Sequence, residues 1–138
     1  MANYNSTYRT NYFKVTDEEE YQKLFEKVKS CAEDLADFSR TEDGETLHGF
    51  GGYGSVDYCD ENEEYLGIDA FFDELSKILP DNEAAIYTEV GNEKLNYLAA
   101  YSIVATNEDV KIVDLRECAK DKAKEMLNDK DYETQLEY

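Results

Sequence analysis

The spacing of apolar positions along the chain changes period several times, and each change marks an element. Residues 10–15 (Thr-Asn-Tyr-Phe-Lys-Val) read as a strand, and Thr16 to Glu19 then makes the Thr-x-x-Glu capping pattern that opens a helix. Tyr21, Leu24, Phe25, Val28, Cys31, Ala32, Leu35 and Phe38 recur at helical spacing, which predicts a first helix over 17–38. After a turn at 41–45, the segment 47–53 reads as a strand interrupted by Gly49, Gly51 and Gly52, where glycine marks a bulge or the close approach of another backbone. Residues 55–59 are expected to return as a strand, and 60–64 form an acidic loop. Ile68, Phe71, Phe72, Leu75, Ile78 and Leu79 then predict a second helix, ended by Pro80-Asp81-Asn82.

The next stretch is the clearest β pattern. Ile86, Thr88 and Val90 alternate with Tyr87 and Glu89. A Gly-Asn-Glu turn leads to Leu95, Tyr97, Ala99, Tyr101 and Ile103, and a Thr-Asn-Glu-Asp turn precedes Val110, Ile112 and Val113. Short turns between three strands predict an antiparallel meander. Asp114 and Glu117 open a third helix with Leu115, Cys118, Ala119, Ala123, Met126 and Leu127 on one face. The expected fold is therefore α+β: an antiparallel sheet with three helices packed chiefly on one face, in a single domain over 1–138. The polar tail 128–138 either frays or folds back through Tyr132, Leu136 and Tyr138.

Charge changes what such a domain is expected to meet. The chain carries 33 Asp and Glu against 14 Lys and Arg, a formal net charge of −19 in 138 residues. High net charge with few aromatics would favour disorder, but 12 Tyr and 6 Phe supply a core. An excess of this size repels nucleic acid and anionic membranes, and attracts a basic partner. Residues 17–83 hold most of it, with 21 acids against 5 bases. Asp57, Asp60, Glu61, Glu63, Glu64, Asp69, Asp73 and Glu74, with Tyr58 and Tyr65 among them, are the first candidates for contact. Asp17, Glu18, Glu19 and Glu20 at the start of the first helix are the second. Carboxylates interleaved with tyrosines suit arginines, which pair bidentately with the former and stack on the latter.

Specific chemistry is poorly supported. Reading Asp60, Asn62 and Glu64 as a calcium loop puts Tyr65 where glycine is needed and Phe71 where a bidentate glutamate is needed. A single histidine, His48, and isolated cysteines give no zinc spacing and no signature of a Cys-His nucleophile. Residues 49–54 lack the Gly-Lys-Ser/Thr ending of a phosphate loop. Among 33 acids, some pair always stands at the separation of a glycosidase, so such a pair carries no weight. No catalytic residue, metal or cofactor is expected. Three cysteines, Cys31, Cys59 and Cys118, suit reduced thiols. With no signal-like start and no run of ~20 apolar residues, they lead to an expected place in the cytoplasm.

The segments Ser-Thr-Tyr-Arg-Thr-Asn-Tyr-Phe-Lys-Val-Thr-Asp-Glu-Glu-Glu, His-Gly-Phe-Gly-Gly-Tyr-Gly and Glu-Val-Gly-Asn-Glu-Lys-Leu-Asn-Tyr resemble a family of small acidic proteins carried on bacterial mobile elements. Proteins of that setting are similar in kind to anti-CRISPR and antirestriction proteins, several of which imitate DNA. The resemblance implies an inhibitor whose acidic surface, like a duplex with about one charge per 1.7 Å, occupies the basic nucleic-acid channel of an RNA-guided nuclease. Two other classes stand beside it: an acidic accessory or immunity-like module that neutralises a different basic protein, and an enzyme built on carboxylates.

Overall fold

The computed structural model describes residues 4–95 and 97–135. Along the chain it places β1 (Asn5–Thr10), α1 (Glu18–Lys29), β2 (Asp34–Asp37), β3 (Arg40–Glu42), β4 (Glu45–Leu47), β5 (Phe50–Tyr53), α2 (Ile68–Ser76), β6 (Ala85–Glu93), β7 (Tyr97–Ala105), β8 (Val110–Asp114) and α3 (Leu115–Leu127). Six strands form one sheet in the order β2-β5-β1-β6-β7-β8, each pair antiparallel, and β3 and β4 make a separate hairpin. The fold is α+β, as the pattern predicts. Of the expected tail, Leu136 and Tyr138 lie outside the described residues.

One face of the sheet carries the core. Tyr8, Phe50, Tyr87, Ile103 and Ala105 point into it and meet Tyr21, Leu24, Phe25 and Val28 of α1 and Phe71, Phe72 and Leu75 of α2. Ring contacts run without a break from Phe13 through Tyr21, Phe25, Phe50, Phe71 and Phe72 to Tyr87 and Tyr8. Aromatic pairs of this kind add about 0.5–1.5 kcal/mol each beyond their burial, so the small sheet is anchored to both helices. α3 lies against the same face, where the Arg116 guanidinium sits 4.9 Å from the Tyr97 ring centroid. It buries none of the apolar residues expected to form its packed stripe. Among the described residues no helix covers the opposite face of the sheet, and Ile86, Val90, Leu98 and Val113 are exposed there. In β6, Ile86 and Val90 therefore face outward while Ala85, Tyr87 and Glu89 are buried.

Several boundaries differ from the sequence reading. The first strand occupies 5–10 rather than 10–15, with Phe13 making only an isolated bridge to His48. The helix cap is Asp17, whose Oδ1 accepts from the Glu20 amide at 3.0 Å, while the Thr16 hydroxyl donates to Ile78 O. α1 stops at Lys29, because residues 34–37 pair with β5 instead of continuing the helix. That pairing uses the glycines. A Cβ on Gly52 would collide with Asp34 O, so only glycine lets β2 approach. The strand expected over 47–53 is broken into β4 and β5, and 55–59 is a loop with a single bridge from Cys59 to Tyr65. The second helix ends at Ser76, four residues before Pro80, and β6 runs on through Gly-Asn-Glu to Glu93, with the turn to β7 beginning at 94 and 95. Cys31 and Cys59 form a disulfide, which corrects the expectation of three free thiols, and Cys118 is free and exposed. Among the described residues no helix is long and apolar enough to cross a membrane.

Candidate partner-binding surface

The acidic loop is held in one shape by its own aspartates. Asp57 Oδ1 accepts from the amides of Tyr58 and Gly67 at 2.7 and 2.8 Å, and Asp60 Oδ1 accepts from those of Asn62 and Glu64, both at 2.9 Å. The Asp60 and Leu66 amides donate to Glu64 O and Tyr58 O, which closes the loop on itself. Cys59 ties it to the end of α1 through Cys31, and the buried Tyr58 ring packs on Phe71 of α2. Asp57 and Asp60 thus act first as local acceptors, the usual reason such residues sit in tight loops. Glu61, Glu63 and Glu64 are left exposed beside Tyr65 and Leu66.

Packing of α1 against α2 brings the two predicted acidic regions together. Glu20 from α1, Asp60 and Glu61 from the loop, and Glu74 from α2 line one groove of about 360 Å³ with Tyr58 at its base. The electrostatic consequence appears on that tyrosine. Its hydroxyl titrates above the ordinary value, first because it is buried and then because Glu74, Glu20, Asp60 and Glu61 surround it. The cations nearby are Lys27, whose Nζ lies 5.9 Å from the Tyr58 centroid, and Lys77, which pairs with Glu74 at 3.0 Å. Lys27 and Leu24, which also line the groove, escaped the sequence reading because they belong to the buried edge of α1 and carry no acidic signal.

The remaining predicted residues are placed elsewhere. Asp17 caps α1, and Glu18 turns away to accept from or pair with buried His48 at 2.7 Å. Glu19 is exposed in the first turn, where it complements the helix dipole. Asp69 and Asp73, four apart on α2, are exposed and do not line the groove. Among the described residues no group of three or more His, Cys, Asp or Glu is arranged to hold a metal ion.

A second concentration of polar side chains was not anticipated. The Glu89 carboxylate, 9% exposed, accepts from the hydroxyls of Tyr87 at 2.5 Å, Tyr101 at 3.2 Å and Tyr4 at 2.9 Å. Only the odd parity it shares with Tyr87 in β6 could have signalled that it points inward. No protein family, curated protein or solved structure matches the chain.

Proposed function

We propose that this protein is a non-catalytic inhibitor of the anti-CRISPR kind, which acts by lodging its acidic groove in the basic nucleic-acid channel of an RNA-guided nuclease. The observation that carries the reading is the convergence of Glu20, Asp60, Glu61 and Glu74, from three separate segments, around one tyrosine in a chain of net charge −19. Arginines that hold a duplex by its phosphates find comparable partners there, with the Tyr65 ring, 71% exposed, available for stacking. Binding blocks target entry by occupancy, and no bond is made or broken.

The test is target-DNA binding by guide-loaded nucleases with and without the protein, at low and high salt. Inhibition should be competitive with DNA and should weaken as salt rises, since exposed charges steer the encounter. The triple variant Glu20→Lys, Glu61→Lys and Glu74→Lys should release it. Inhibition that survives this triple change, or a protein that captures only partners without nucleic-acid sites, would overturn the proposal; the latter result would favour the immunity-like module.

A further inference from the structure

At the β6–β7 end of the core face, away from the acidic groove, Tyr4, Tyr97 and Tyr101 line a cavity of about 470 Å³ whose polar groups are the carboxylates of Glu89 and Glu93. Gly91 makes room for it. A Cβ there would collide with the Tyr4 hydroxyl, so glycine lets that ring lie across β6 and reach Glu89. Tyr4 and Tyr97 stand 6.0 Å apart at 60° and form one wall. Burial, and then Glu89, raise the pKa values of the Tyr4, Tyr87 and Tyr101 hydroxyls, which keeps them protonated and donating to that carboxylate.

These donors are neutral, so the cavity retains negative charge. Three O–H groups use three of the roughly four acceptor positions of Glu89, and Glu93 has no hydrogen-bond or ion-pair partner among the described residues. Aromatic faces add further attraction for a cation. A guanidinium already rests on one of these rings, that of Arg116 on Tyr97. We propose that the cavity is a binding site for a guanidinium group, seated between the tyrosine rings and paired with Glu93. The planar fork of donors matches a carboxylate bidentately and stacks on a ring, which a compact ammonium does less well. The group could be borne by free arginine or by an arginine in a protein chain, and this site is independent of the acidic groove.

Methylguanidinium, arginine amide and acetyl-Gly-Arg-Gly-amide are titrated into the full chain, with backbone amide shifts followed by NMR and urea as the neutral planar control. The guanidinium compounds should give saturable shifts at Tyr97, Ala99 and Glu93, and urea at equal concentration should not. Glu93→Gln, which alters a partly exposed side chain, should weaken binding about tenfold, equal to about 1.4 kcal/mol. Tyr97→Leu should weaken it independently. Tighter binding of the peptide than of arginine amide assigns the site to a protein ligand, and equal binding assigns it to the free cation. Absence of saturable shifts, equal shifts with urea, or binding indifferent to both substitutions would overturn the proposal.

Discussion

Glu89 offers a direct test of how this sheet is held together. Its carboxylate is buried and accepts from three phenols, and of these only Tyr87 is fully excluded from water, at 0% exposed. Tyr4, at 37%, can recover a water if its acceptor is lost. A hydrogen bond to a charged group contributes roughly 1.5–3 kcal/mol, and a buried hydroxyl left without an acceptor costs about 1–3 kcal/mol. Glu89→Ala is therefore expected to cost about 3–5 kcal/mol, a large part of the ~5–15 kcal/mol that holds an ordinary domain. Tyr87→Phe should cost about 2 kcal/mol, since Tyr4 and Tyr101 still serve the carboxylate. In the Tyr87→Phe background, Glu89→Ala should cost about 2 kcal/mol less than in the wild type, because the stranded hydroxyl is gone. Equilibrium urea unfolding of the four proteins measures this coupling directly, provided the denaturant slopes agree. A coupling below about 0.5 kcal/mol, the level at which independent sites add, would refute the account.

Tyr21 is the converse case. Its hydroxyl is buried with no hydrogen-bond partner among the described residues, so Tyr21→Phe should raise stability by about 1 kcal/mol in the same assay. Burial also raises the pKa values of Tyr21 and Tyr87, so above pH 10 the native state holds protons that the unfolded chain releases. Each of the two then contributes stability that is fully present below about pH 10 and falls above it by about 1.4 kcal/mol per pH unit, alongside the raised hydroxyls of Tyr4, Tyr8 and Tyr101; Tyr21→Phe should lower the slope by about 1.4 kcal/mol per pH unit, and a flat profile would contradict their burial. The Cys31–Cys59 bridge closes a loop across a sequence separation of 28 and should contribute roughly 3.5 kcal/mol by restricting the unfolded chain, measured as the difference between oxidised and reduced protein in urea.

Elements whose signal is local were legible in the sequence. The spacing of Ile68, Phe71, Phe72 and Leu75 marks α2, and the alternation from residue 85 onward marks β6 and β7, because each buries one face against the same core, whereas β8 meets it only through the half-buried Val110. The end of α1 was not legible. Cys31, Ala32, Leu35 and Phe38 prolong the helical spacing, yet the chain leaves the helix after Lys29 because β5 lacks side chains at Gly51 and Gly52 and accepts β2 alongside. The glycines did announce a close backbone approach, but not which backbone. The acidic loop stood out by composition, while its union with Glu20 depends on how α1 and α2 pack, a long-range fact that charge counting does not contain. Glu89 was hidden for the opposite reason: among 33 acids one more gives no signal, although three side-chain hydroxyls donate to it.

Where acids are missing bears on what the charge is for. Positions that alternate onto the uncovered face of β1, β6, β7 and β8 include Thr7, Arg9, Ile86, Thr88, Val90, Leu98, Ser102, Lys111 and Val113, and none of them is a carboxylate. Acidity that served only solubility would be mixed over the surface and most useful where Val90 and Leu98, each more than half exposed, meet water. Instead that face carries Arg9 and Lys111, with Asp34 on the edge strand β2, whereas residues 57–74 alone hold eight acids. A lopsided field of this kind orients a basic partner during encounter, whereas an even one only repels copies of the chain. Position rather than total charge should then govern binding. Reversing Glu20, Glu61 and Glu74 to lysine should abolish competition with DNA, and reversing Glu108, Asp121 and Glu125, which leaves the same net charge, should change it less than about threefold. Equal losses from the two triples would mean that net charge alone sets the affinity, and the groove would have no special part in it.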